Sequence, residues 1–158
     1  MKSKRGKISI WILFSIYLLI LLKVILFKYP IPIREILKGH QIPISYKIKS
    51  SNFIPLKSIF QFLFKGNNIK ISLENVLGNI VVFVPFGFLL PTLLDRMNKF
   101  KIVVLSSFIL SLMFEVIQLF TVLGDFDVDD ILLNTIGGIL GYLFYKLLTH
   151  FIIGKIRK

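Results

Sequence analysis

The stretch DFDVDDILLNTIGGILGYLFYKLL, residues 125–148, sets an acidic cluster directly against an apolar run. From Val128 the run is long enough for a membrane helix, which needs about 20 mainly apolar residues. Its N-terminal end carries Asp125, Asp127, Asp129 and Asp130. Carboxylates are among the most expensive groups to place near hydrocarbon, so these four either serve the structure or have a job there.

Working outward, three more stretches have the length and apolarity of a span: residues 8–27, 73–94 and 102–121. The chain of 158 residues is 55% hydrophobic, with a mean hydropathy of +0.80, beyond what a soluble domain can bury. An all-α membrane protein with four transmembrane helices is expected. The formal net charge of +12 then speaks for orientation and lipid contact, and no motif of a nucleic-acid reader accompanies it. The absence of cysteine excludes disulfides, thiolate metal sites and a cysteine nucleophile. The basic start and apolar body of residues 1–27 resemble a secretory signal, but the sequence contains no alanine for a small-residue cleavage site, so an uncleaved signal anchor is expected.

Orientation follows the lysines and arginines near short segments. Lys2, Lys4, Arg5 and Lys7 mark a cytoplasmic N-terminus, and four spans return Lys155, Arg157 and Lys158 to that side, together with Arg96, Lys99 and Lys101. The long basic connection would lie outside, which is tolerated because long connections translocate largely regardless of charge. The expected layout is N-in/C-in. It comprises a basic cytoplasmic N-terminus (1–7), a first transmembrane helix (8–27), an external connection (28–72), a three-helix membrane core (73–148) and a basic cytoplasmic C-terminus (149–158). Pro30, Pro32 and Pro43 predict an irregular path in the first half of the connection. Near residues 53–65, Lys57, Gln61 and Lys65 share one helical face and Ile59, Phe60, Leu63 and Phe64 the other, predicting a short amphipathic interfacial helix. His40 and His150 fall in solvated or interfacial positions.

The polar residues of the spans share a depth. The second span has Asn75 and Asn79 on one face with Gly78 between them; the third has Ser107, Ser111, Glu115 and Gln118 at helical spacing; the fourth has Asp127, Asp130 and Asn134. Glu115 lies roughly two turns inside its span, so it must face protein or a water-filled cavity. It either locks the bundle through hydrogen bonds or has a function, and the general behaviour of intramembrane carboxylates favours function. Asp127 and Asp130 have the spacing of a helix cap and its reciprocal partner, at the positive end of the helix dipole, while Asp125 and Asp129 read as turn and solvent residues. An EF-hand starting at Asp125 fails, since Asp130 and Ile136 replace its glycine and glutamate. A looser oxygen site from Glu115, Asp127 and Asp130 stays open. Gly137 and Gly141 form a small-residue face for close helix approach, and Pro85 with Gly87 predicts a kink or opening in the second span.

SNFIPLKSI (51–59), ENVLGNIVVFVPFGFLLP (74–91), EVIQLF (115–120) and FDVDDILLNTIGGILGY (126–142) occur in the order and spacing of VanZ-like proteins, small bacterial membrane proteins whose founder is linked to teicoplanin resistance. The resemblance covers residues 51–142 and marks Asn52, Pro55, Asn79, Pro85, Gly87, Glu115, Gln118, Asp127, Asp130, Asn134, Gly137 and Gly141. Many relatives carry an arginine after the Glu-x-x-Gln motif where this chain reads TVLGDFD; Lys57 or Lys70 would have to replace it.

The resemblance implies a multi-pass protein of the bacterial cytoplasmic membrane that acts on the cell envelope. Asn79, Glu115, Gln118, Asp127, Asp130 and Asn134 would form a polar pocket for a lipid-linked wall precursor or a lipoglycopeptide. Membrane lipids are the expected partners; no nucleic acid, cofactor or resident metal is implied. The first alternative is a metal-assisted hydrolase or transferase on a lipid phosphate or ester, with Glu115 as general base and Asp130 as cation ligand. The second is a proton-coupled transporter titrating Glu115, which would need a homodimer.

Overall fold

Four helices dominate the chain because each apolar run, once out of water, must satisfy its backbone groups internally. The computed structural model describes residues 4–27, 43–65, 69–121 and 123–156. Its helices are α1 (Lys4–Leu26), α2 (Ile44–Ser50), α3 (Lys57–Phe60), α4 (Ile69–Leu93), α5 (Phe100–Phe120) and α6 (Val128–Ile156). Four of them are long and apolar enough to cross a membrane: α1, α4, α5 and α6. Among the described residues the extended structure is one isolated parallel bridge between Asn52 and Asp127. The paths of Pro30, Pro32 and His40, and the positions of Lys2, Arg157 and Lys158, lie outside the described residues.

The most extensive helix contact joins α4 to α6. Where Gly137 and Gly141 have no side chain, the carbonyls of Ile80 and Val84 occupy the space that a Cβ would need; Gly87 reciprocates against the Gly138 carbonyl. Lipid-immersed helices gain little from mutual hydrophobicity and associate through such close packing. α1 lies along α4 with Phe14 stacked on Phe86 at 6.0 Å, and the Tyr17 hydroxyl donates to the Val82 carbonyl at 2.8 Å. Phe83, Phe86, Leu90, Val103 and Phe114 fill the centre, while Leu19, Val81 and Phe120 are exposed on the perimeter, as a lipid-facing surface requires.

Two details of the expected layout follow. α4 runs uninterrupted through Pro85 and Pro91, so of the kink or opening expected at Pro85 the helix does not open; flanking turns and close packing against α6 hold it together. Among the described residues of the connection's first half, Ile44–Ser50 are helical rather than irregular. Pro43 is the residue that starts α2, where a missing N–H is harmless.

After α2 the chain forms a turn with Pro55 at its second position and Leu56 at its third, closed by Lys57 N–H donating to the Ile54 carbonyl at 3.3 Å. Leu56 has φ 67° and ψ −1°, the left-handed geometry that a type II turn demands and that glycine usually supplies. α3 follows and continues as a π-turn over Gln61–Lys65. Phe60, Leu63 and Phe64 are exposed on its outer side, with the Phe60 and Phe64 rings 4.5 Å apart.

Candidate functional site

The polar residues gather at one end of the bundle, where α1 and α5 end and α6 begins. Residues 51–59 are fastened there by Asn52. Its N–H donates to the Phe126 carbonyl at 2.8 Å, and its carbonyl accepts from Val128 N–H at 3.0 Å. Its side-chain amide donates to Ser58 Oγ at 3.0 Å and to Asp127 Oδ1 at 2.9 Å. The connection is therefore part of the site.

Asp129 is the chief correction. Read as a solvent residue, it is 1% exposed and accepts the backbone N–H groups of Leu56, Ser58 at 2.7 Å and Ile59 at 3.1 Å. It thus holds the strained Leu56 turn and supplies the donors of the α3 N-terminus with an acceptor, which they lack within their own helix. Asp125 is half-exposed but not merely solvated: it accepts from Ser50 Oγ at 2.7 Å and pairs with Lys47 Nζ at 3.2 Å. Lys47 of α2, buried and also donating to the Gly124 carbonyl, places a cation against the turn after Glu-x-x-Gln. Lys57 faces the polar chamber described below, whereas Lys70 is exposed beside Glu74.

Asp127 caps α6, its Oδ1 accepting Asp129 N–H at 2.9 Å. The reciprocal partner is not Asp130. Glu115 Oε2, reaching from α5, accepts the Asp127 N–H at 2.8 Å, closing between two helices a box that is ordinarily formed within one. Asp130 instead accepts from the Asn79 amide. Gln118 donates to the Ile25 carbonyl of α1 at 3.1 Å, and Asn134 donates to Ser111 Oγ at 2.8 Å.

Two cavities follow. A polar chamber of about 260 Å³ lies between residues 49–62 and the start of α6, with Lys57, Ser58, Gln61, Asp127, Asp130 and Gln118 in its wall. A second, of about 170 Å³, lies deeper against α1 and α4, with Asn79, Gln118, Asp130 and Asn134 in its wall. Gln118 and Asp130 belong to both. Five of the six sequence-selected residues thus line one cavity or the other. Glu115, 1% exposed, lies among the packed groups. The oxygen site from Glu115, Asp127 and Asp130 is not assembled, and no group of three His, Asp or Glu among the described residues is placed to share a metal ion.

Sequence reasoning missed Asp129, Lys47 and the Ile25 carbonyl. The signal available for Asp129 was indirect: the SNFIPLKSI motif contains a turn whose donors need an acceptor, and only the fold shows which aspartate is nearest. Glu115→Ala is expected to lower stability by about 2 kcal/mol, because the Asp127 N–H loses its acceptor inside the bundle. Glu115→Gln should lose less, since an amide oxygen still accepts. Thermal unfolding in detergent checks both; equal losses would shift the effect from the hydrogen bond to the charge.

The fold and this polar end define a multi-pass, four-span membrane protein whose membrane core is tied to its first connection by carboxylates and amides. The chain belongs to the VanZ/LLP1 family, whose sequence profile matches residues 14–149. It is 32% identical over 145 residues to Protein VanZ of Enterococcus faecium, a similarity spanning 90% of this chain and 76% of that protein. No solved structure gives a significant match.

Proposed function

We propose that this chain acts at the outer leaflet of the bacterial cytoplasmic membrane, N-in/C-in, and binds the polar part of an amphiphile in the chamber beneath residues 49–62. A lipid-linked wall precursor or a lipoglycopeptide such as teicoplanin has the required character, and reduced drug action is the cellular consequence. The observation that carries this reading is the chamber, with Lys57, Ser58 and Gln61 opposite Asp127 and Asp130. At about 260 Å³ it falls below the usual range for a whole drug-sized ligand, roughly 300–1,000 Å³, and suits a headgroup or sugar with its apolar part left in the bilayer. The exposed Phe60, Leu63 and Phe64 on the outer side of the same segment would rest in the interface.

A deletion strain complemented with the wild type should regain teicoplanin tolerance several-fold, and one complemented with Lys57→Glu at equal abundance should not. Matching susceptibility of the wild-type and deletion strains would remove the resistance claim. Full complementation by Lys57→Glu would remove the chamber from it.

A further inference from the structure

Gly78 differs from the glycines of the α4–α6 contact. A Cβ at Gly87, Gly137, Gly138 or Gly141 would collide with a neighbour, whereas a Cβ at Gly78 would meet nothing within 4 Å. Glycine is among the poorest helix formers, and here no close packing compensates for it. What the missing side chain leaves is space. Gly78 borders two hollows: the deeper cavity of about 170 Å³ and an apolar groove of about 610 Å³ on the outer face of α4, formed by Leu73, Leu77 and Val81. Glu74 borders both as well.

The deeper cavity has an apolar side, Val24, Ile25 and Val82, and a polar side made of the carboxylates of Glu74 and Asp130 and the amides of Asn79, Gln118 and Asn134, with no basic side chain among the described residues of its wall. Asn134 is 1% exposed, and its Oδ1 has no hydrogen-bond partner, a condition that normally carries a penalty or marks a place for a donor. At the mouth, Lys70 and Glu74 pair at 3.9 Å with both side chains largely exposed, offering the two charges that a zwitterionic headgroup could separate.

We propose that Gly78 is a lateral portal through which a bilayer lipid with a primary ammonium headgroup enters, its chain along Leu73, Leu77 and Val81 and its ammonium donating toward Asp130 and Asn134. A primary ammonium carries three donors and a positive charge, matching the carboxylates of Glu74 and Asp130 and the unpartnered Asn134 Oδ1. A quaternary ammonium lacks the donors, and an anionic headgroup meets like charge. The inference rests on the proposed function only in taking amphiphiles as ligands; it concerns the deeper cavity rather than the chamber beneath residues 49–62, and adds a side of entry and a headgroup selected there.

The test titrates the purified full-length protein in detergent with lysophosphatidylethanolamine, and with lysophosphatidylcholine and lysophosphatidylglycerol of the same chain length. Free ethanolamine is the chainless control. Lysophosphatidylethanolamine should bind about tenfold tighter than the other two lipids, and ethanolamine should bind far more weakly still. Gly78→Leu, which fills open space, should keep or raise the unfolding temperature and lose about tenfold in lipid affinity; Gly78→Val gives the same reading with a smaller plug. Equal affinity among the three lipids overturns the ammonium assignment, equal affinity for ethanolamine overturns the lipid source, and wild-type affinity in either folded variant overturns the portal. Lipid selectivity without a change in drug susceptibility would sink only the resistance reading. Loss of selectivity while Lys57→Glu still fails in cells would sink only this one.

Discussion

Asp129→Ala is expected to cost about 4 kcal/mol and to release residues 51–65 from the bundle before the bundle itself melts. Three backbone N–H groups, those of Leu56, Ser58 and Ile59, lose their shared acceptor. Hydrogen bonds to a carboxylate contribute about 1.5–3 kcal/mol each, and water reaching the detached segment recovers part of the sum. The αL conformation of Leu56 adds strain that the bonds to Asp129 help to hold. Asp129→Asn should fall between, because one oxygen still accepts while the new NH₂ faces donors. Asp125→Ala, at a half-exposed position, should lose much less. Amide hydrogen exchange over residues 51–65, measured beside the unfolding temperature in detergent, separates detachment from global unfolding. Protection unchanged from wild type would show that Asp129 does not hold the segment.

Gly137→Ala should destabilise the bundle by about 3 kcal/mol, at the upper end of ordinary overpacking. The added Cβ would fall on the Ile80 carbonyl, and a backbone carbonyl in a membrane helix cannot rotate aside as a flexible side chain can. Relief requires α4 and α6 to separate, and Gly87 and Gly141 carry the same close approach along the same line. Gly78→Ala on α4 is the matched control: with nothing within 4 Å, it should gain roughly 0.5–1 kcal/mol from helix propensity. Denaturation of both variants in mixed micelles gives the comparison, and similar stabilities would deny the glycine contact its role in the fold.

The contrast between these glycines shows how far residue type reaches. Gly78, Gly137 and Gly141 look alike in the sequence, each small and each in an apolar helix, yet one borders open space and two meet a backbone. The aspartates behave the same way. Asp127 was legible as a cap because capping is local, set by a helix start and the next two residues. Its reciprocal partner was not, because Glu115, twelve residues back on another helix, competes with Asp130 for the same N–H. Once Glu115 takes that position, Asp130 is available to Asn79 of α4. Asp129 was misassigned for the same reason: its acceptor oxygens find donors more than seventy residues away in the chain.

By itself the sequence determined the four apolar helices, the acidic start of the last one and the meeting of Asn79, Gln118, Asp130 and Asn134 at one end. Transfer from water to lipid is governed by length and apolar content, and facing polar stripes follow from helical period. Only the tertiary structure decided which carboxylate binds which donor, that Lys47 stands beside the acidic turn, and that Gly78 borders both a groove and a cavity. Several acceptors of equal chemistry compete for each donor, and distances of an ångström or so, set by how the helices pack, choose among them.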